Sequence, residues 1–269
     1  MKEHSKKLYK SLFQLDGKCT VLTGATGLIG SAFAEGLAEY GSNIAIVDVD
    51  EHKCLALADK LSDRHSVECI SVVADVSKVS SVNDLLAKVL DKFGKIDVLV
   101  NSVQVISKNF FLPFEEYKED DWNEIIDINL KGVFLTCQII GKQMVAQEKG
   151  NIINLASTYA LVAPNQKLYE GIEFGSPAAY SASKGGVIAL SRYLAAYWAA
   201  QNIRVNTITP HGVYKNHESR FIKNFSNLSP LKRMSRKEEV VGALIYLASE
   251  ASSYVTGHNL VVDGGWGVW

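Results

Sequence analysis

The chain has 269 residues, a net charge of −1 and 47% hydrophobic residues, so it is long enough to bury a sizeable core. Its charges are interspersed, with no basic stripe and no base-stacking aromatic pattern, and we therefore expect no nucleic-acid partner. The basic start, residues 1–10, has no apolar segment behind it, and no apolar run approaches bilayer length, so we expect a cytoplasmic protein without membrane association. Four widely spaced cysteines are typical of small core residues, without a disulfide or metal framework: Cys19, Cys54, Cys69 and Cys137.

Residues 19–40 predict the first strand, a glycine-rich bend and the first helix of a doubly wound nucleotide-binding fold. Gly24, Gly27 and Gly30 suit a tight turn, close approach of backbone to a pyrophosphate, and close packing of helix on strand. Amides at the helix start would face the phosphates, where the helix dipole favours negative charge. The apolar face of this helix consists of Leu28, Ile29, Ala32, Phe33, Leu37 and Ala38.

Asp48 follows the second predicted strand, residues 43–47, and stands 18 residues beyond Gly30. An acid about 20 residues after the glycines binds the ribose hydroxyls of NAD and repels the 2′-phosphate of NADP. The glycine turn contains no Lys or Arg, so NAD is the expected cofactor and NADP the less favoured one. The alternative for both Asp48 and Asp50 is capping of the next helix, residues 51–61, and Asp50 suits that role better.

The remaining pattern alternates strands and helices without an internal repeat or a linker. Predicted strands cover residues 68–73, 96–100, 151–155, 203–207 and 260–262, and predicted helices cover residues 81–94, 121–147, 178–201 and 236–249. Strand 96–100 is apolar except for Asp97, as expected for a parallel sheet covered on both faces. The sequence therefore predicts a single α/β domain over residues 1–269, with a parallel seven-stranded sheet and helices on both faces.

Several motifs together carry a family resemblance: the glycine turn, Asp75, Asn101, Asn129, Ser157, the pair Tyr180 and Lys184, and the closing residues 262–265. Of eleven tyrosines, only Tyr180 has a lysine four residues later, a spacing that puts both side chains on one helix face. Over nearly its whole length the chain resembles the compact short-chain dehydrogenase/reductase family. The resemblance implies hydride transfer between NAD and a secondary alcohol or ketone.

The Tyr180 and Lys184 pair suits general acid/base catalysis. A free tyrosine has a pKa near 10, and a pKa near 7 requires about 4 kcal/mol of selective stabilisation of the phenolate. A lysine cation roughly 4 Å away, at an effective dielectric near 20, supplies about that much. We therefore expect Lys184 to lower the pKa of Tyr180, with help from the positive nicotinamide if the two side chains lie further apart. The alternative is a surface tyrosine beside a solvated lysine.

The resemblance also implies roles for the other motif residues. Ser157 would bind the substrate oxygen, Asn129 would hold a water in a proton relay, and Asp75 and Asn101 would lie beside the adenine and the sheet centre. The alternatives are a turn-forming Ser157, an exposed helix Asn129, and Asx turns at Asp75 and Asn101. The catalytic set is Asn129, Ser157, Tyr180 and Lys184; the cofactor-binding set is Gly24, Thr26, Gly27, Leu28, Ile29, Asp48, Asp75, Val76, Asn101, Tyr180, Lys184, Pro210, Gly212 and Val213.

Three stretches depart from the family pattern. The spacing GxxGxxG is more typical of the extended branch, whose substrate domain needs more residues than remain after the sheet. Residues 101–104 read Asn-Ser-Val-Gln instead of Asn-Asn-Ala-Gly. Residues 210–213 read Pro-His-Gly-Val where the family has a Pro-Gly pair, and the threonine that holds the nicotinamide amide is absent near Lys215.

Two segments are expected to form the substrate side of the site. A cleft insert at about residues 159–178 is longer than usual, because residues 163–177 are added, and resembles that of bacterial dehydrogenases of surface-glycan and flagellin-modification pathways. Its polar residues favour a sugar, sugar phosphate or sugar-derived acid as the substrate. The alternative is a plain surface loop whose polar residues are solvated. A lid is expected at about residues 213–235. Its basic residues favour an anionic substrate: His217, Arg220, Lys223, Lys232 and Arg233.

Apolar helix faces around residues 130–140 and 187–198, and an aromatic tail at residues 265–269, indicate a homodimer or homotetramer with the tail buried between subunits. Three alternatives to the dehydrogenase remain open. They are an epimerase or dehydratase that keeps NAD bound, a 3-oxoacyl-type ketoreductase, and a non-catalytic nucleotide sensor.

Overall fold

A computed structural model describes residues 9–107, 109–172 and 175–268. Its centre is a seven-stranded sheet in the order β3-β2-β1-β4-β5-β6-β7, with every neighbouring pair parallel. The strands are β1 Cys19–Thr23, β2 Asn43–Asp48, β3 Cys69–Val73, β4 Val98–Asn101, β5 Gly150–Leu155, β6 Ile203–Pro210 and β7 Asn259–Val262. The predicted doubly wound domain with a parallel seven-stranded sheet is confirmed.

The described part of the chain contains eight α-helices, and six of them cover the two faces of the sheet. The eight helices are α1 Leu28–Glu39, α2 Glu51–Arg64, α3 Val79–Phe93, α4 Glu119–Ile126, α5 Gly132–Ala146, α6 Ala178–Tyr197, α7 Ser219–Leu228 and α8 Glu238–Ala248. One core cluster joins the sheet to α1, α2 and α8, and a second joins it to α3, α5 and α6. None of the described helices has the length and hydropathy needed to traverse a bilayer.

The strand order reverses between β1 and β4, which are hydrogen-bonded neighbours although β2 and β3 separate them in the chain. The connections from these two strands leave toward opposite sides and open a crevice outside their carboxyl ends. The glycine turn after β1 and residues 102–106 after β4 both border this crevice.

The predicted helix at residues 121–147 is broken into three parts, because α4 and α5 are joined by a π-helical segment, Asp127–Lys131. Two poor helix formers lie at this break, Asn129 and Gly132. A Cβ on Gly132 would come within 2.7 Å of the Val76 side chain, so glycine allows α5 to approach the loop after β3.

The sequence-based interpretation of residues 213–235 missed α7, which buries Phe221 and Phe225 one turn apart. These rings form a third cluster with Leu168 of the insert, Met234 and Trp266. The expectation that the tail is buried between subunits was therefore wrong for Trp266, which is buried in its own chain and stacks on Phe225 at 4.9 Å. Trp269 lies outside the described residues.

Candidate active site

A cleft of about 700 Å³ occupies the crevice at the carboxyl ends of the strands. The predicted residues that line it are Gly24, Thr26, Gly27, Leu28, Ile29, Asp48, Asp75, Val76, Ser157, Tyr180, Pro210, Gly212 and Val213. The other three, Asn101, Asn129 and Lys184, are not part of its lining and are buried beside it.

The glycine turn fits a dinucleotide because its backbone is packed too closely for side chains. Gly24 has φ +66°, and a Cβ there would lie 2.6 Å from the carbonyl oxygen of Ser102. A Cβ on Gly30 would collide with the Gly24 carbonyl. No described side chain caps the start of α1 at Gly27, so the first amides of this helix remain available to phosphate oxygens.

Asp48 ends β2 and lines the cleft where a ribose is expected. Its Oδ2 accepts hydrogen bonds from the amide and the hydroxyl of Thr26, at 3.0 and 2.7 Å, and Oδ1 accepts one from the Val49 amide. The carboxylate therefore also fixes the glycine turn. Asp50 caps α2 by accepting from the Lys53 amide, as expected.

Asp75 forms the predicted alternative, an Asx-type turn, and lines the cleft as well. Its Oδ1 accepts from the amide and hydroxyl of Ser77, and its Oδ2 pairs with Lys78 at 3.0 Å. The Ser77 hydrogen bond is the main cause that lowers the pKa of this carboxyl.

Asn101 is the centre of a buried polar network. Its amide group donates to Asn154 Oδ1 at 2.9 Å, and its oxygen accepts from the hydroxyls of Thr23 and Thr136. Asn154 in turn donates to Ser191 Oγ on α6. Sequence reasoning missed Thr136, Asn154 and Ser191, although an asparagine inside the apolar strand β5 was a visible signal. The network joins β1, β4 and β5 to α5 and α6 directly below the cleft.

Tyr180 and Ser157 come together at the cleft and share a hydrogen bond. Burial raises the pKa of Tyr180 above its usual 10, and the Ser157 hydrogen bond opposes this only in part. The expectation that Lys184 lowers the pKa of Tyr180 is therefore not met within the protein alone. The physical reason is that the phenolate loses its hydration in the closed crevice while the ammonium group lies 5.9 Å from the ring centre.

Lys184 lies one turn after Tyr180 on α6 and is 2% exposed. Its ammonium group donates to the carbonyl oxygen of Leu155, at the end of β5, at 3.0 Å and to that of Val103, in the loop after β4, at 3.4 Å. Burial lowers its pKa to about 8. Lys184 thus joins the end of β5 to the loop after β4, one turn after Tyr180 on α6.

Asn129 lies in the π-helical segment and is fully buried. Its Oδ1 accepts from the Val105 amide at 3.0 Å, and its Nδ2 has no hydrogen-bond partner among the described residues. The alternative of an exposed helix asparagine is therefore wrong. An unpaired buried amide group is what a water-holding residue would offer.

The segments predicted to carry the substrate border the cleft with fewer charges than expected. From the insert, Leu168 and Tyr169 line the cleft, whereas Asn165, Gln166 and Lys167 are exposed. Segment 213–235 contains six basic residues, and two of them, Lys215 and His217, line the cleft. Arg233 is paired with Glu239 at 2.7 Å, so it is held away from a ligand. Glu173 of the insert lies outside the described residues.

The sequence analysis did not assign five further residues to the wall of the cleft: Ser102, Gln104, Tyr159, His211 and Phe221. Gly212 has φ +55°, and a Cβ there would collide with the Phe225 ring. This glycine therefore allows α7 to pack on the loop after β6.

A glycine-lined crevice, a Ser157 and Tyr180 pair at its end and a buried lysine one turn later define a nicotinamide-dependent dehydrogenase. A family profile described as enoyl-(acyl carrier protein) reductase matches residues 24–267. The chain belongs to the short-chain dehydrogenase/reductase family and is an NAD(P)-dependent oxidoreductase.

Several similar proteins of this family have names that state an activity on polyols or sugar acids. The chain is 38% identical to D-threitol dehydrogenase of Mycolicibacterium smegmatis, over 94% of each chain. It is 31% identical to post-translational flagellin modification protein A of Campylobacter coli, over 94% of this chain and 100% of that one. A gluconate 5-dehydrogenase from Burkholderia cenocepacia, solved with NADP and tartrate, superposes with a TM-score of 0.87 at 31% identity, over 96% of this chain and 98% of that one.

Proposed function

We propose that this protein oxidises a secondary alcohol of a polyol, sugar or sugar-derived acid, or reduces the matching ketone, with NAD as the redox partner. The observation that carries the proposal is the contact between Ser157 and Tyr180 at the cleft, with Lys184 anchored behind it. Relatives that act on D-threitol and gluconate support the substrate class. The four free cysteines, three of them buried, support action in the reducing cytoplasm.

A nicotinamide cofactor bound in the cleft would supply the hydride acceptor. In the oxidation direction, the Ser157 hydroxyl orients the carbinol oxygen and the Tyr180 phenolate takes its proton as the hydride leaves. The ammonium group of Lys184 is held in place by the carbonyl oxygens of Leu155 and Val103, and its charge favours the phenolate, although burial outweighs this effect in the protein alone. Asn129, with its unpaired Nδ2, holds the water through which the proton leaves. The residues that would hold the pyrophosphate of the cofactor are Gly24, Thr26, Gly27, Leu28 and Ile29.

We predict a preference for NAD over NADP that depends on the charge of Asp48. Asp48→Asn keeps an oxygen for Thr26 but removes the charge that repels a 2′-phosphate, so the preference ratio in kcat/KM should fall at least about tenfold. Asp59→Asn is the matched control, since Asp59 is exposed on α2 and is not part of the cleft lining. An unchanged ratio in Asp48→Asn would contradict the assignment of Asp48 as the residue that sets the cofactor preference. It would favour Lys53, a cation that also lines the cleft, in that role.

The proposed function is tested by NADH appearance against polyols, amino sugars, sugar phosphates, sugar nucleotides and aldonic acids. We expect stoichiometric NADH with polyols or aldonic acids, and higher kcat/KM for carboxylated or phosphorylated compounds than for neutral ones, because the ammonium group of Lys215 lines the cleft. Equal kcat/KM for neutral and anionic compounds would contradict the predicted preference for anionic substrates and leave the proposed dehydrogenase activity intact. Conversion of a sugar nucleotide without net NADH would favour the epimerase or dehydratase.

We further propose that residues 213–235 form a lid and that α5 and α6 form the contact of a homodimer or homotetramer. Tyr193 and Tyr197 stack on each other on α6 and are each 63% exposed, and Phe134 on α5 is 42% exposed. Burial of this aromatic surface would stabilise a subunit contact.

The double substitution Tyr193→Glu with Tyr197→Glu should therefore lower the sedimentation coefficient to that of a smaller species. Tyr254→Glu, at a fully exposed tyrosine, is the control. A monomeric wild-type protein, or a double variant that sediments like the wild type, would contradict the proposed contact.

A further inference from the structure

Helix α7 packs on the cleft insert, and a side chain with no part in the proposed mechanism joins the two. Among the described helices and strands, the main neighbour of α7 is a helical turn of the insert, Gln166–Tyr169. Asn224 of α7 donates from Nδ2 to the carbonyl oxygens of Leu168 at 3.1 Å and Glu170 at 3.3 Å. A side-chain amide carries two N–H hydrogens, so one asparagine can serve both carbonyls. Carbonyls at the end of a helical turn need donors from outside it, and Asn224 supplies them here.

Apolar packing joins the same two segments. Leu168 is 1% exposed and belongs to one buried cluster with Phe221 and Phe225 of α7. A Cβ on Gly171 would collide with the guanidinium group of Arg220, so glycine allows this side chain of α7 to lie against the insert backbone. Movement of α7 away from the insert would expose the apolar side chains and break both hydrogen bonds to the insert carbonyls. The contacts therefore favour a common movement of the two segments.

The insert is also connected to the loop that carries Ser157. The hydroxyls of Tyr169 and Tyr159 are 2.8 Å apart and hydrogen-bonded to each other. Burial raises the pKa of both phenols, so both keep their protons at neutral pH and the pair stays hydrogen-bonded. The amide of Tyr159 in turn donates to Ser157 Oγ at 3.3 Å. A path of hydrogen bonds therefore leads from α7 through the insert to the catalytic serine.

Helix α7, the insert and the catalytic loop border the cleft together. Six of their side chains line it: Ser157, Tyr159, Leu168, Tyr169, Phe221 and Phe225. Tyr180 lines the same cleft, and Tyr159 and Tyr169 both lie close enough to it for their charges to interact. The position of α7 and the insert therefore decides how much room a substrate has beside Tyr180.

We propose that residues 165–172 of the insert and α7 form one composite lid, and that Asn224 is the positioning residue that holds its two parts together. Asn224 is not part of the cleft lining, so it acts on the substrate through Tyr169 and Phe221. The tyrosine pair connects the composite lid to Ser157, so the lid closes in register with the reacting carbinol. The effect on the substrate rests on the proposed function, whereas the common movement exists without a substrate.

Hydrogen–deuterium exchange of the enzyme without substrate tests the common movement. Amides of one cooperative unit exchange through the same opening, so a change that loosens one part should speed up exchange in the other. Asn224→Asp replaces the two donors by an oxygen that faces the carbonyls, and exchange should rise about tenfold in residues 165–172 and in α7. Tyr159→Phe, a change in the catalytic loop, should raise exchange in both segments alike. Helix α3, which packs in a different core cluster, should be unchanged.

Steady-state kinetics tests the positioning role, with NAD and a compound that the panel shows to be oxidised. Asn224→Asp should raise KM for this compound about tenfold and change kcat less than about twofold, while the affinity for NAD is unchanged. Asn224→Ala removes the donors without adding a charge and should act in the same direction. Asn227→Asp is the matched control, since Asn227 is exposed on the same helix and the change adds the same charge. It should behave like the wild type in both experiments.

The outcomes separate the proposals. Faster exchange in only one of the two segments would overturn the composite lid. An unchanged KM in Asn224→Asp would overturn the positioning role, and so would a loss of NAD affinity as large as the rise in KM, because that result indicates a general loss of structure. No oxidation of any compound in the panel would overturn the proposed function, and the exchange experiment would still decide whether the two segments move together.

Discussion

Tyr180→Phe should lower kcat about 10²- to 10⁴-fold while NAD still binds with unchanged affinity. The substitution removes only the oxygen that exchanges a proton with the carbinol, and general acid/base catalysis contributes rate factors of that size. Tyr197→Phe, on the same helix but 63% exposed, should retain full activity. NADH appearance measures the rate, and quenching of protein fluorescence by NAD measures binding. Full activity in Tyr180→Phe would contradict the assignment of Tyr180.

The pH dependence of the wild-type rate tests which protonation state of Tyr180 each direction of the reaction needs. Because burial raises the pKa of Tyr180, the phenolate that accepts the proton is scarce at neutral pH. The kcat/KM for oxidation should therefore rise with pH toward that pKa, while reduction, which needs the phenol, stays level and then falls. An oxidation rate that is flat from pH 6 to 10 would contradict proton transfer by this group.

Gly24→Ala should abolish measurable NAD binding and destabilise the fold by about 2 kcal/mol or more. The residue has φ +66°, a region that costs a side chain about 1–2 kcal/mol, and the added Cβ would lie 2.6 Å from the Ser102 carbonyl. Relief of that contact must move either the glycine turn or the loop after β4, and both border the cleft. Urea unfolding measures the loss of stability, and NAD titration measures the loss of binding.

Gly94→Ala is the matched control for this glycine. Gly94 ends α3 with nearly the same φ, +71°, but a Cβ there meets no atom within 4 Å. It should therefore cost only about 1 kcal/mol from backbone strain and leave NAD binding unchanged. Equal effects of the two substitutions on NAD binding would show that the contact with Ser102 does not shape the cofactor site.

Much of the fold could be predicted because its pattern is local and repeated. Apolar strands, the stripe on α3 and its closing Gly94 are visible in the sequence, and they agree with the structure to within a few residues. Helix α7 was missed although Phe221 and Phe225 stand four residues apart. These two rings become a buried face only against Leu168 and Trp266, which are distant in the chain. Such a helix depends on tertiary contacts that periodicity does not contain.

The candidate site, like the fold, could be predicted only in part. Which residues line the cleft could be predicted from motifs, and Ser157 and Tyr180 do meet there. The direction in which the pKa of Tyr180 shifts could not be predicted. It depends on how far the crevice excludes water and on where the ammonium group of Lys184 is held. The network around Asn101 and Asn154 was visible only as an asparagine inside an apolar strand, since its five members come from five different elements.

Transfer of a labelled hydrogen tests the central claim most directly. The enzyme is incubated with NAD and a polyol that carries deuterium on the carbinol carbon, and the NADH formed is analysed by mass spectrometry. We predict one deuterium per NADH in the wild type, and loss of this transfer in Tyr180→Phe with NAD still bound. NADH without deuterium, or label transfer that persists undiminished in Tyr180→Phe, would contradict a hydride transfer governed by Tyr180.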